Sequence, residues 1–172
     1  MQVFGFAGFS GSGKTTLIER LIPLFVREGL KLSVIKHAHH DFDFDTPGKD
    51  SYRHRAAGAS EVMVSGGRRW VLMHELRGAP EPMLDQQLAR LAPCDLVLVE
   101  GYKHYPIPKI EVWRLGAGKP LLFPSDPHVI AVATDSPVET ALPQFGLDET
   151  EDIAAFILAH LGLAKTLLAS LR

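Results

Sequence analysis

The chain has 172 residues with 18 Lys and Arg against 20 Asp and Glu, a net charge of −2, so no positive field spans it to hold a nucleic-acid backbone. With 46% hydrophobic and 22% charged residues, 15 Gly and 12 Pro, a disordered or collagen-like chain is excluded and a single domain over residues 1–172 is expected. The lone Cys94 rules out an intramolecular disulfide or a multi-cysteine metal site; together with the lack of a basic signal region or a long apolar span, this predicts a cytoplasmic protein without a membrane partner.

Val3–Ala7 is short, apolar and rich in β-forming residues, and predicts a strand. The glycine-rich stretch Gly8–Gly13 follows as a loop. From Lys14 onward Leu17, Leu21, Leu24 and Phe25 recur at spacings of three and four, which predicts a helix with one apolar stripe against a sheet. Pro23 removes a backbone donor and crowds the carbonyl of Glu19, so a kink is expected there before Gly29 closes the helix. Leu32–Ile35 predicts a second strand, and the His- and Asp-rich stretch Lys36–Asp50, with Pro47-Gly48, a long loop of the kind that is usually functional or mobile. Asp50–Ala57 predicts a short helix, Glu61–Ser65 a strand, and Arg69–Leu76 a strand that pairs across Gly66-Gly67. Met83–Leu91 places Leu84, Leu88 and Leu91 on a helical period.

In Asp95–Glu100 four consecutive branched apolar residues suit a parallel strand covered on both faces. Lys109–Trp113 and Val129–Ala133 predict further strands, and Glu149–Leu161 a closing helix with Ile153, Phe156 and Ile157 on one side. Strands alternating with helices predict an α/β fold around a mainly parallel sheet.

Gly8-Phe9-Ser10-Gly11-Ser12-Gly13-Lys14-Thr15 fits G-x-x-x-x-G-K-[ST] between a strand and a helix, which gives the pattern its meaning and points to a P-loop NTPase-like three-layer sandwich. The glycines let backbone N–H groups surround phosphate oxygens, the helix N-terminus adds partial positive charge, Lys14 reaches the terminal phosphates and Thr15 offers its hydroxyl to Mg²⁺. Glu100 ends the most apolar strand, where an acidic group orients the metal directly or through water, and Gly101 lets the chain pass close to a phosphate.

Read in order, Gly8–Thr16, Lys36-His37-Ala38-His39-His40-Asp41, Asp45–Tyr52, Ala57-Gly58-Ala59, Val99-Glu100-Gly101-Tyr102-Lys103, Pro108-Lys109-Ile110-Glu111 and Ser125–Asp135 resemble the MobB family, the P-loop proteins of molybdopterin-guanine dinucleotide biosynthesis. The resemblance implies a GTP-binding adaptor with weak GTPase activity that forms a homodimer and works with molybdopterin, its guanylyltransferase and molybdenum-inserting proteins. Carried over residue by residue, it implies phosphate and Mg²⁺ binding by Gly11, Ser12, Gly13, Lys14, Thr15 and Thr16, and a second acidic motif at Glu100 and Gly101. Asp41 would be a further Mg²⁺ or water-positioning carboxylate.

The Asn-Lys-x-Asp motif by which many GTPases select guanine is absent. Asp135 follows a late strand at the corresponding place, either as an acceptor for guanine N1–H and N2–H₂ or as a polar turn residue before Ser136-Pro137. His37, His39 and His40 with Asp41, Asp43 and Asp45 are read as loop hydrogen-bonders rather than a transition-metal site. Lys36, Lys49, Arg53, Lys103 and Lys109 either meet an anionic pterin phosphate at the carboxyl ends of the strands or are solvated surface. The segment near 66–76, with Arg69, Trp70, Leu72 and Met73, is either a dimer contact or a sheet edge covered by its own chain. The alternative function is a P-loop small-molecule kinase using ATP; such enzymes usually carry an Arg-bearing lid, and the only dense Arg pairs are Arg53-His54-Arg55 and Arg68-Arg69.

Overall fold

The structure is a computed structural model that describes residues 1–38 and 42–164. Its elements run β1 (Gln2–Ala7), α1 (Lys14–Arg27), β2 (Leu32–Lys36), α2 (Asp50–Ala56), β3 (Glu61–Ser65), β4 (Trp70–His74), α3 (Leu84–Leu88), β5 (Leu96–Glu100), β6 (Lys109–Trp113), β7 (Val129–Thr134), β8 (Gln144–Gly146) and α4 (Thr150–His160). Two units divide the chain, one of residues 1–37 with those from 91 on, the other of residues 38–90.

The first unit is an α/β fold around a six-stranded sheet in the order β2-β5-β1-β6-β7-β8, every neighbouring pair parallel. One set of alternating side chains, Phe4 and Phe6, Leu96 and Leu98, Ile110 and Val112, Ala131 and Ala133, shares a core with Leu17, Ile18, Leu21 and Phe25 of α1 and Ile153 and Ile157 of α4. This period-two pattern meeting a period of 3.6 is what locks helix against sheet, each large side chain contributing about 1.5–3 kcal/mol of burial. Helix α1 is assigned as one element with Pro23 inside it. It ends where the Gly29 and Leu30 N–H groups donate to the Val26 and Phe25 carbonyls, a closing motif that satisfies the last carbonyls. All five residues of β5 are buried, as expected of a strand covered on both faces.

The chain leaves β1 toward β2 on one side and later crosses to β6 on the other, so β1 lies at the point where the strand order reverses. In parallel sheets that point, at the carboxyl ends, is where ligands bind. Loop 8–13 therefore emerges between the ends of β5 and β6.

Opposite to the helix-facing set on β6, Lys109 and Glu111 are fully buried. The Lys109 ammonium donates to the Lys103 carbonyl at 2.9 Å, the Tyr105 carbonyl at 2.7 Å and Asp126 Oδ2 at 2.8 Å. Lys109 stands at the start of β6 with its charge already used, so it is not among the cations at the strand ends that an anionic ligand meets. Glu111 accepts from the Leu122 and Phe123 N–H groups at 2.7 and 2.9 Å, and burial pushes its carboxyl above the ordinary value against those two bonds.

In the second unit β3 and β4 form an antiparallel hairpin with Ser65 opposite Trp70, and Gly66 N–H donates to the Arg69 carbonyl across the turn. Met63, Val64, Trp70, Val71 and Leu72 are exposed on it. Arg55 of α2 ties together Asp43, Asp45 and Glu75, and its hydrogen bonds to Asp43 and Glu75 hold its own pKa well above the ordinary value. Helix α3 is shorter than the apolar period over 83–91 predicts, because its end tightens into a bond from Arg90 N–H to the Gln87 carbonyl.

Candidate functional site

Gly8 turns the chain out of β1 with φ of +143°, and a Cβ there would stand 2.3 Å from the Val112 carbonyl oxygen. The loop passes so close to β6 that only glycine fits. Gly8→Ala is expected to destabilise the fold by about 3 kcal/mol from overpacking and a strained φ, read as a lowered melting temperature. From there Gly11 and Gly13 take positive φ, and α1 begins at Lys14 with the buried Ser12 beneath it.

Lys14 Nζ folds back over the loop, donating to the Phe9 carbonyl at 2.8 Å and lying 3.5 Å from Ser12 Oγ. Burial pushes the ammonium below its ordinary pKa; Glu100 opposes this, while Lys103 and Lys36 add to it. A cation under that strain is stabilised by any anion delivered to the loop. The Thr15 hydroxyl donates to Glu100 Oε1 at 2.7 Å, across 85 residues of sequence. Lys36 Nζ lies 3.5 Å from both Glu100 Oε2 and Thr15 Oγ1, and Lys103 Nζ sits 4.2 Å from the centre of the Phe9 ring. A hydroxyl and a carboxylate side by side are hard oxygen donors of the kind Mg²⁺ takes, with phosphate oxygens and water completing its shell.

Gly101 follows Glu100 with φ of +101°, and a Cβ there would come within 2.8 Å of His37 Cβ. His37 N–H donates to the Glu100 carbonyl at 2.9 Å, so the ends of β2 and β5 are drawn together beside the loop. Asp41, His39 and His40 lie outside the described residues.

On the other side of the loop Gly13, Thr16, Arg114, Thr134, Asp135 and Leu147 line a cavity of about 450 Å³, and an Arg20–Asp148 ion pair stands on its wall. It runs from the phosphate loop to the ends of β7 and β8. Asp135 Oδ1 accepts from the Leu115 N–H at 3.0 Å, and Oδ2 lies 3.6 Å from an Arg114 nitrogen. Asp135 thus closes a turn and still presents a carboxylate to the cavity. The structure therefore brings Gly11, Ser12, Gly13, Lys14, Thr15, Thr16, Glu100, Gly101 and Asp135 around the ends of β1, β5 and β7. Arg114 belongs to the same site and carries no motif that marks it; its only signal is a cation directly after a strand that neighbours the phosphate loop.

The sequence model of the family described as "MobB: Molybdopterin guanine dinucleotide synthesis protein B" matches residues 3–135. A "Molybdopterin-guanine dinucleotide biosynthesis adapter protein" of Escherichia coli (strain K12) is 43% identical over 160 residues, covering 91% of each chain. One of the same name from Haemophilus influenzae is 44% identical over 162 residues, covering 91% of this chain and 88% of the relative. Among solved structures, a MobB homologue from Bacillus stearothermophilus superposes with a TM-score of 0.71 at 29% identity, over 94% of this chain and 99% of that one.

Proposed function

The chain belongs to the MobB family, and from there we propose that it is a GTP-binding adaptor with weak, Mg²⁺-dependent GTPase activity in molybdenum cofactor biosynthesis. Relatives that it matches almost end to end carry the name of adapter proteins of molybdopterin-guanine dinucleotide biosynthesis, and that pathway is its place. An ATP-dependent small-molecule kinase finds no support in these relatives. The reading rests above all on one observation: Thr15 and Glu100 meet at 2.7 Å beside a phosphate loop whose lysine is held below its ordinary pKa by burial.

In this reading backbone N–H groups of Gly11–Lys14 and the Lys14 ammonium hold the β- and γ-phosphates, and the cavity beside Gly13 takes the nucleoside. Mg²⁺, held by Thr15 and directly or through water by Glu100, would neutralise charge on the terminal phosphates. The Lys14 ammonium would neutralise charge on the transferring phosphoryl group beside Glu100, which is tied to Thr15 at 2.7 Å, and Asp41, the carboxylate proposed to position water, lies outside the described residues. The partners are molybdopterin or its guanylyltransferase and molybdenum-inserting proteins, and the hairpin near 66–76, with its exposed Trp70, is the segment proposed for homodimer contact. Among the described residues no helix is long and apolar enough to cross a membrane, and the cytoplasm is the compartment proposed.

Titration with GTP in Mg²⁺ and in EDTA, on the native protein and on Glu100→Gln, tests the metal half of this reading. Mg²⁺ should tighten GTP binding to the native protein roughly tenfold or more, and the loss of a charge-assisted contact in Glu100→Gln should remove most of that gain. Equal affinity in Mg²⁺ and EDTA for the native protein would contradict the metal site.

A further inference from the structure

We infer that Arg114 and Asp135 together form the guanine reader of this chain, Arg114 supplying from the end of β6 the cation that the missing Asn-Lys-x-Asp motif would have supplied after β7. The inference rests on the GTP reading above and goes beyond it by assigning base selection to a pair of side chains from two different strands.

Three features carry it. Arg114 Nε donates to the Ser12 carbonyl of the phosphate loop at 3.1 Å, which fixes the guanidinium plane and leaves its outer nitrogens free of that bond. One of them, Nη1, lies 3.6 Å from Asp135 Oδ2, so a donor and an acceptor stand side by side on the cavity wall. The guanidinium also packs against Gly13, where an added Cβ would lie 3.3 Å from Nε, which places it at the junction of phosphate loop and nucleoside cavity.

Side by side, a donor and an acceptor match one purine edge and oppose the other. Guanine carries the acceptor O6 beside the donors N1–H and N2–H₂, so Arg114 donates to O6 while Asp135 accepts from N1–H and N2–H₂. Adenine reverses the order, setting an amino donor before the arginine and a bare N1 acceptor before the carboxylate, and both contacts become repulsive.

The test is calorimetric titration of the native protein, Arg114→Ala and Arg114→Lys with Mg²⁺-GTP, Mg²⁺-ATP and inorganic tripolyphosphate, each variant first checked for an unchanged melting transition. Arg114→Ala should weaken GTP by roughly tenfold or more and lower the GTP-to-ATP affinity ratio, while tripolyphosphate affinity stays within about twofold of the native value. Arg114→Lys, which keeps the charge and loses the fork, should fall between the two. A GTP-to-ATP ratio unchanged in Arg114→Ala would overturn the assignment of Arg114. An equal loss of tripolyphosphate and GTP would also overturn it, by showing that the residue only shapes the phosphate loop. A native protein without preference for GTP would instead overturn the GTP reading beneath it.

Discussion

Replacing Lys14 by alanine is expected to cut GTP affinity by roughly 100-fold or more while moving the melting temperature of the free protein by no more than about 3 °C. The two halves of that expectation have one physical cause. In the free protein Lys14 donates to the Phe9 carbonyl at 2.8 Å and, at 3.5 Å, to Ser12 Oγ, and burial pushes its ammonium below the ordinary pKa against the pull of Glu100, so its charge adds little to the fold. Its partner is the anion that the loop is shaped to hold. Ligand at 100 times its dissociation constant stabilises the native state by about 2.7 kcal/mol, so GTP should raise the melting temperature of the native protein by roughly 5–10 °C and leave that of Lys14→Ala in place. A variant that still gains stability with GTP would contradict the phosphate role.

Lys109→Ala has the opposite profile, a large loss of stability whatever the ligand. It strips Asp126 of a partner at 2.8 Å and removes the ammonium's bonds to the Lys103 and Tyr105 carbonyls, of which Tyr105 keeps the Ile107 N–H as a donor. Breaking a buried pair from one side costs about 3–5 kcal/mol, which for a chain of this size lowers the melting temperature by roughly 10 °C. The same pair shapes the response to acid. Burial pushes the Asp126 carboxyl up, but the bonds from Lys109 and His128 N–H outweigh it and hold the group below its ordinary value. A carboxyl lowered on folding stabilises above its unfolded pKa, and that contribution fades as pH falls through the lowered native value. The stability of the native protein should therefore drop in acid, and Lys109→Ala, whose Asp126 has lost the attraction, should show a shallower limb in melts recorded between pH 7 and pH 3. An unchanged melting temperature in Lys109→Ala at neutral pH would show that the buried ammonium is not holding the loop.

The strongest strands were legible because their patterns are local. Leu96–Val99 reads as a buried parallel strand from four residues, and Gly8–Thr15 reads as a phosphate loop because flanking strand and helix signals agree. Strand β8 was not legible: Gln144–Gly146 is three residues without alternation, and its extended form depends on pairing with β7. Lys109 was misplaced for a related reason. A lysine reads as surface in any one-dimensional pattern, and only the loop folded over β6 together with Asp126 makes its burial tolerable. Arg114 went unread because base selection is assembled here across two strands, and no spacing in the chain announces a contact between residue 114 and residues 12 and 135.

Calorimetric titration of the native protein with GTP and with ATP, both in Mg²⁺, addresses the account most directly. GTP and ATP carry the same triphosphate, so in this account a difference between them would come from the cavity that Arg114 and Asp135 line. A preference for GTP of roughly tenfold or more is the result the donor–acceptor pair predicts. Equal affinities, or tighter ATP, would contradict it.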